Sequence, residues 1–467
     1  MVSKLPDGPE SFAWWELIKW IADPLAYLEA GARRYGEVFS IKLRGFAPFV
    51  IISNPQGIQE ILSVDAKLFD SGTANDIVRP LVGDNSLLLL DGDRHKRQRK
   101  LLMPPFHGER LQAYGQIICE ISEKIASQWT EGNSFIARSA MQDITLEVIL
   151  QAVFGLCEGE RYQRLKPLLA AMLDLTGSPL RSSILFFKFL QQDWGAWSPW
   201  RRMKRRKQEI YELLQAEIDE RRADREIPGN DILSLMLLAR DENGEPMSDE
   251  ELKDEMMTLL VAGHETTATA LAWAFYWIHK LPEVREKLLQ ELDSLGENPD
   301  PMAIYQLPYL TAVCQETLRI YPIVPIAFFR LPRKPVEIMG RSFAPGTMLA
   351  SCIYLVHHRE DLYPQSKQFK PERFLERQYS PYEYLPFGGG NRRCLGYALA
   401  QLEMKLVLAT ILSRYQLTLA DNKPVKPQRR GLTIAPDSGV RMVLTGKRDR
   451  ATRAIEPKLV KKEAVAQ

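Results

Sequence analysis

The sequence predicts a mostly α-helical fold with small β-sheets, and three observations carry that reading. Residues 101–292 repeat apolar side chains at helical spacing, punctuated by turn signals such as Gly177-Ser178-Pro179 and Ile227-Pro228-Gly229-Asn230. The longest helical stretch opens at Ser248, which forms a capping-box pattern with Glu251, and meets no proline before Pro282. About 30 residues of helix reach roughly 45 Å, enough to cross a domain. The β-rich runs are short and lie toward the two ends. Residues 37–43 and 49–52 flank a hairpin turn at Arg44-Gly45-Phe46-Ala47-Pro48, and 336–350 carry turns at Gly340 and Pro345-Gly346. A last pair falls at 416–419 and 440–444.

Composition narrows the class. The chain has 467 residues, 45% of them hydrophobic, so it can bury a large core. Lysine and arginine number 61 against 59 acids, a net charge of +2, which argues against a nucleic-acid binder working through bulk charge. The five cysteines are an odd number, widely spaced and with no CxxC pair, which argues against a disulfide framework or zinc site and fits a reducing compartment. No apolar run reaches the ~18 residues of a membrane span; the stretch 12–22 is broken by Glu16 and Lys19. One domain over 1–445 is expected, with 446–467 a charged, disordered tail.

The centre of the long helix conflicts with its own propensity. Residues 256–274 are largely apolar, yet Ala262-Gly263-His264-Glu265-Thr266-Thr267 puts a glycine, an acid and two hydroxyls among them. A mid-helix glycine alone costs about 1 kcal/mol against alanine. Such conflicts concentrate at functional sites. The plain alternative is a threonine pair bonded back onto helix carbonyls.

Residues 387–396, Phe-Gly-Gly-Gly-Asn-Arg-Arg-Cys-Leu-Gly, form a glycine-rich loop ahead of a second helix. Gly388 to Gly390 allow φ > 0 and close backbone approach. Leu395, Leu399, Leu402, Leu406 and Ala409 then recur at helical spacing as one apolar face. The free N–H groups and dipole at that helix start favour a Cys394 thiolate, with Arg392 and Arg393 beside it for a flat dianionic cofactor. Elsewhere Glu316 and Arg319, three apart, share a helix face and can pair.

Phe387-x-x-Gly390-x-Arg392-x-Cys394-x-Gly396 resembles the haem-binding loop of the cytochrome P-450 family at every fixed position. The resemblance spans about residues 5–445. It implies that family's fold, in which the long helix and the cysteine loop sandwich haem b, with Cys394 as the axial iron ligand. Phe387, Gly388, Arg392 and Gly396 belong to the loop. Ala262 and Gly263 leave room for dioxygen, and Glu265 and Thr266 deliver protons. Glu316, Arg319 and Arg373 match the family's structural triad. His95, Arg99, Arg330 and Arg392 match its propionate contacts, with His95 standing where many members have tryptophan.

The function so implied is a haem-thiolate monooxygenase, inserting oxygen into a small apolar substrate of the fatty-acid, alkane or terpene type. Its walls are expected at 71–90, 173–189, 256–266 and 323–329, with Arg79 and Arg181 within reach of a terminal carboxylate. Electrons come from NAD(P)H through a separate ferredoxin or flavodoxin and its reductase, docking near Lys96, Arg97, Lys100 and Arg393. A peroxide isomerase or peroxygenase, and a haem sensor without turnover, are the competing readings. Leu5-Pro6-Asp7-Gly8-Pro9 resembles the hinge that follows the anchor of microsomal members, and the chain begins at that hinge, so a soluble, bacterial-type member is expected, a monomer in the cytoplasm. Trp14, Trp15, Ile18 and Trp20 could still touch a membrane surface.

Overall fold

Ser248 and Glu251 close the capping box that their spacing predicts: each side chain accepts the other residue's backbone N–H. From that cap a helix runs unbroken for 32 residues and forms the axis of the molecule. The computed structural model describes residues 5–64, 66–173, 184–185, 187–195, 198–224 and 229–448. In chain order, the helices that frame the site are α1 (Ala13–Ala22), α2 (Gly92–Leu102), α3 (Ala137–Val148), α4 (Asp249–Lys280), α5 (Pro308–Ile320) and α6 (Tyr397–Arg414). The axial helix is α4, which packs against α3, α5 and α6.

At its C-terminal end α3 widens into a π-helical turn, Ile149–Val153, where the Phe154 N–H bonds the carbonyl of Ile149 five residues back. Nothing in Ile-Leu-Gln-Ala-Val signals this turn. Helix α6 departs from the single apolar face expected of it. Every residue from 402 to 413 is buried, so the helix is wrapped on all sides by its neighbours.

The principal strands are β1 (Val38–Ile41), β2 (Phe49–Ile52), β3 (Ser134–Ile136), β4 (Met348–Ser351), β5 (Tyr415–Leu419) and β6 (Arg441–Lys447). β1 and β2 form the expected hairpin, Val38 opposite Ile52. On its other edge β2 pairs in parallel with β4, Phe49 opposite Met348. The expected pair β5–β6 gains β3 as a third strand, from a region read as helical. β6 continues to Lys447, and Arg448 makes a two-pronged ion pair with Asp293, so the boundary placed after 445 falls inside a paired strand. The tail from 449 onward and the turn residues 177–179, 227 and 228 lie outside the described residues.

Candidate active site

The glycine loop is shaped by positive φ at Gly388 and Gly390, +64° and +63°. Gly389 and Gly390 are pressed against Leu62; a Cβ at either would sit within 2.9 Å of it. The close approach that needs these glycines is therefore to the neighbouring helix Pro55–Ser63 rather than to a ligand. The Cys394 N–H closes the loop on the Phe387 carbonyl at 2.9 Å, and Arg393 lies over the Tyr397 ring at 4.1 Å. Cys394 is exposed, but to a walled cavity deep in the protein. Burial pushes its thiol up, while the Gly396 N–H, Arg99 and Arg393 pull it down. The helix start alone does not make a thiolate here; a cation at the sulfur is needed.

That cavity has two adjoining lobes of about 1100 and 990 Å³, counting their open mouths, and both reach Cys394, Arg392 and Thr266. Across from the cysteine loop lies the middle of α4. Ala262 is exposed and Gly263 half-buried at the centre of a helix whose flanks are buried, because the cavity opens there. The helix is regular through 262–267. The Thr266 hydroxyl donates to the Ala262 carbonyl at 2.5 Å, the plain back-bonded arrangement, while still lining the cavity.

Of the residues singled out for cofactor and chemistry, His95, Arg99, Ala262, Gly263, Thr266, Arg330, Phe387, Gly388, Arg392, Cys394 and Gly396 all line the cavity. Glu265 does not. It is buried on the opposite side of α4, ion-paired with Arg138 of α3 and accepting from Gln142 at 3.0 Å. His264 faces the same way, its Nδ1 2.8 Å from the Thr145 hydroxyl, and burial holds it neutral with a pKa near 3.

His95, Arg99, Arg330 and Arg392 converge on one edge of the cavity. Burial and then Arg392, Arg99 and Arg330 push His95 down to about 3. Burial and then Arg392 lower Arg330 to about 10, although its side chain reaches only Ser71, Asn391 and the Gly389 carbonyl. Arg392 pairs with Asp91 at 2.6 Å, but its Nε is buried without a hydrogen-bond partner. A buried set of like charges with one carboxylate to share calls for an added anion. The residues present fit the flat dianionic cofactor implied by the loop: Arg99, Arg330 and Arg392 would hold its carboxylates, and Cys394 would hold its metal.

Glu316, Arg319 and Arg373 are brought together and buried, the first two completely. Arg319 grips Glu316 with two hydrogen bonds of 2.6 and 2.9 Å, and Arg373 Nε reaches the same carboxylate at 3.2 Å. The Lys370 N–H and the carbonyls of His357 and Gln368 take most of the remaining bonding capacity.

Several expectations change. Arg79 is tied to Asp76 and Asp84 and does not face the cavity; Arg181 lies outside the described residues. Arg97 is held by Asp241 and Glu251, and Lys100 by Glu242, so the basic cluster near the loop is partly neutralised. Trp20 turns inward against Tyr27 and Phe49 instead of outward. The expected walls at 71–90, 256–266 and 323–329 do line the cavity; of 173–189 no described residue does.

Sequence reasoning missed Val148, Ile149 and Val153, which the π-helical turn swings into the cavity, and Asp91, which holds Arg392 and the backbone N–H groups of Ser71 and Gly72. It also missed two buried cavity-lining acids, Glu255 and Glu403. Burial raises both to about 8. Glu255 accepts from the Leu87 N–H and Gln98, but its Oε2 has no partner; Glu403 Oε1 has none either.

Glu403 therefore stays protonated in the fold and ionises near pH 4.5 once unfolded. Unfolding releases its proton, so this group lowers stability as pH climbs from about 4.5 to 8 and levels off above. Glu403→Gln should melt progressively higher than the parent across that window, with the two converging at low pH. Parallel melting curves from pH 5 to pH 8 would show that Glu403 is ionised in the fold.

A family model described as Cytochrome P450 matches residues 6–441. Cytochrome P450 135B1 of Mycobacterium tuberculosis is 36% identical over 446 residues, covering 95% of this chain and 92% of its own. Cytochrome P450 138 of the same organism is 32% identical, covering 88% and 90% of the two chains. Among solved structures, a retinoic acid-bound cyanobacterial CYP120A1 superposes with a TM-score of 0.82 at 26% identity, covering 95% of this chain and 100% of that one.

Proposed function

This chain belongs to the cytochrome P450 family and is a haem monooxygenase, and from that premise we propose that it hydroxylates C–H bonds of a neutral, apolar substrate held above Cys394. The observation that carries the substrate class is the wall opposite the cysteine loop. Val148, Ile149, Val153, Leu259, Ile323, Val324 and Phe328 surround the space beside Ala262 and Thr266. The cations on the cavity cluster at its cofactor edge, and Arg79 is already bound to two aspartates. An alkane or terpene-like molecule fits this wall better than a free fatty acid, whose carboxylate would need a cation there. The retinoic acid bound to the cyanobacterial relative shares the apolar isoprenoid body of a terpene but carries a carboxylate, so it supports the apolar body of the substrate and not its neutral head.

Bound haem b supplies the iron that activates dioxygen. The chain's part is to hold and isolate it. Cys394 would hold the iron, Arg99, Arg330, Arg392 and His95 would receive the carboxylates, and Ala262 and Gly263 leave open space on the cavity side of α4. Thr266 hands protons into the cavity. Glu265 acts from behind the wall and must leave Arg138 to supply them. Electrons come from NAD(P)H through a ferredoxin or flavodoxin and its reductase, docking beside Arg393 and Lys96, and the protein works in the cytoplasm.

Turnover with such a reducing pair and a panel of alkanes, terpenes and fatty acids tests the reading. Reductant-dependent hydroxylated product is expected, with neutral hydrocarbons preferred. No product from any of them would leave an isomerase or a sensor. In Thr266→Ala, product per NAD(P)H should fall by about tenfold or more, the scale of a lost proton-transfer group, while peroxide rises. An unchanged ratio would remove Thr266 from the proton path.

A further inference from the structure

Helix α1 is built inside out. Its one acid, Glu16, is 2% exposed, while Trp15 beside it is 60% exposed. Glu16 is satisfied internally, accepting from Tyr27 Oη at 2.6 Å, from Lys19 Nζ at 2.9 Å and from the Ser11 hydroxyl. The outer face carries Trp14, Trp15, Ile18 and Ile21, with Phe12 next to it at 68% exposure. Lys19 is the one charge on that face. Exposed Arg44 borders it, its backbone N–H on the Ala13 carbonyl at 3.2 Å and its guanidinium 5.9 Å from the Trp14 ring, and Lys42 two residues before it is exposed as well.

Scattered exposed apolar side chains need no explanation, but a contiguous set with the acid turned inward does. Indole rings beside lysine and arginine are suited to the interfacial zone of a bilayer, and the basic rim is complementary to anionic headgroups. A helix of 10 residues is too short to span, and among the described residues no helix is long and apolar enough to cross a membrane.

The inner side of α1 ties it to the cavity. Trp20 packs edge-on against Phe49, whose ring meets Phe329 at 5.3 Å, and the next side chain, Phe328, lines both cavity lobes. We propose that α1 is a lipid-surface anchor: Phe12, Trp14, Trp15, Ile18 and Ile21 enter the headgroup boundary of an anionic bilayer while Lys19, Lys42 and Arg44 meet its phosphates. The cavity wall at Phe328 is then held beside the phase in which an apolar compound dissolves. The surface contact itself does not depend on the substrate assigned above.

Flotation of the full-length holoprotein with vesicles of phosphatidylcholine alone, and of phosphatidylcholine mixed with phosphatidylglycerol, tests this. The parent should float with both and bind the anionic vesicles more strongly, the difference shrinking as salt rises. Trp15→Ser/Ile18→Asp should lose binding by about tenfold or more on both. Lys42→Glu/Arg44→Glu should lose only the preference for anionic lipid. An unchanged haem spectrum and melting temperature confirm folding, and Phe12→Ser/Ile21→Ser replaces the first variant should it fail. A parent that floats with neither vesicle, or an apolar-face variant that floats like the parent, overturns the proposal. So does a parent dimer that ignores vesicles and becomes monomeric in Trp15→Ser/Ile18→Asp, which would make this face a contact between two copies.

Discussion

Cys394→Ala abolishes the strongly red-shifted Soret band expected of the reduced, carbon monoxide-treated protein, and hydroxylation disappears with it. The band reports a thiolate on haem iron, and the structure leaves that thiolate one source. Of the five cysteines, Cys394 alone lines the cavity. Burial drives Cys314 and Cys352 up to about 12, which keeps them as thiols. Cys157 sits on the outer surface, and Cys119, half-buried, is also pushed up by burial. Alanine at any of these four should leave the spectrum intact. If Cys394→Ala keeps the band, the ligand is another residue and the loop has been misassigned.

The second large effect lies away from the chemistry. Glu316→Ala leaves Arg319, which is 0% exposed, and Arg373 buried without their shared carboxylate, and it strips an acceptor from the Lys370 N–H. Breaking a buried pair in this way costs about 3–5 kcal/mol, a large share of a typical domain's stability. Little haem-loaded protein should accumulate, and what does should melt well below the parent. The measurement is haem content per polypeptide together with a thermal scan. Normal loading and melting with slower turnover would place Glu316 in the reaction instead of in the frame.

The sequence was most readable where the determinant is local. The capping box of Ser248 and Glu251, the proline-free run behind it and the short β-rich runs of the β1–β2 hairpin each depend on residues a few positions apart. The residues of the cysteine loop were legible for the same reason, and eleven of the twelve residues picked for cofactor and chemistry line one cavity. The twelfth, Glu265, shows the limit. Its partner Arg138 is 127 positions away, and no local pattern says that an arginine there will reach across to α4. Asp91 and Arg392, 301 apart, met unannounced in the same way. The π-helical turn at Ile149–Val153 was invisible for another reason: its residues suit an ordinary α-helix, and tertiary packing decides the extra residue.

The parallel seam between β2 and β4 has a consequence for how the molecule is made. Residues 49–52 emerge early in synthesis, with Phe49, Val50, Ile51 and Ile52 all destined for burial, yet their second neighbour is encoded at 348–351. Until then β2 has β1 on one side and a bare hydrogen-bonding edge on the other. Cys394 follows later still, and β3 waits for β6 at the end of the described chain. Contacts so distant in the chain make folding slow and leave the nascent polypeptide prone to self-association. The cofactor pocket is therefore among the last parts to close, and haem can be captured only after nearly the whole chain has been synthesised.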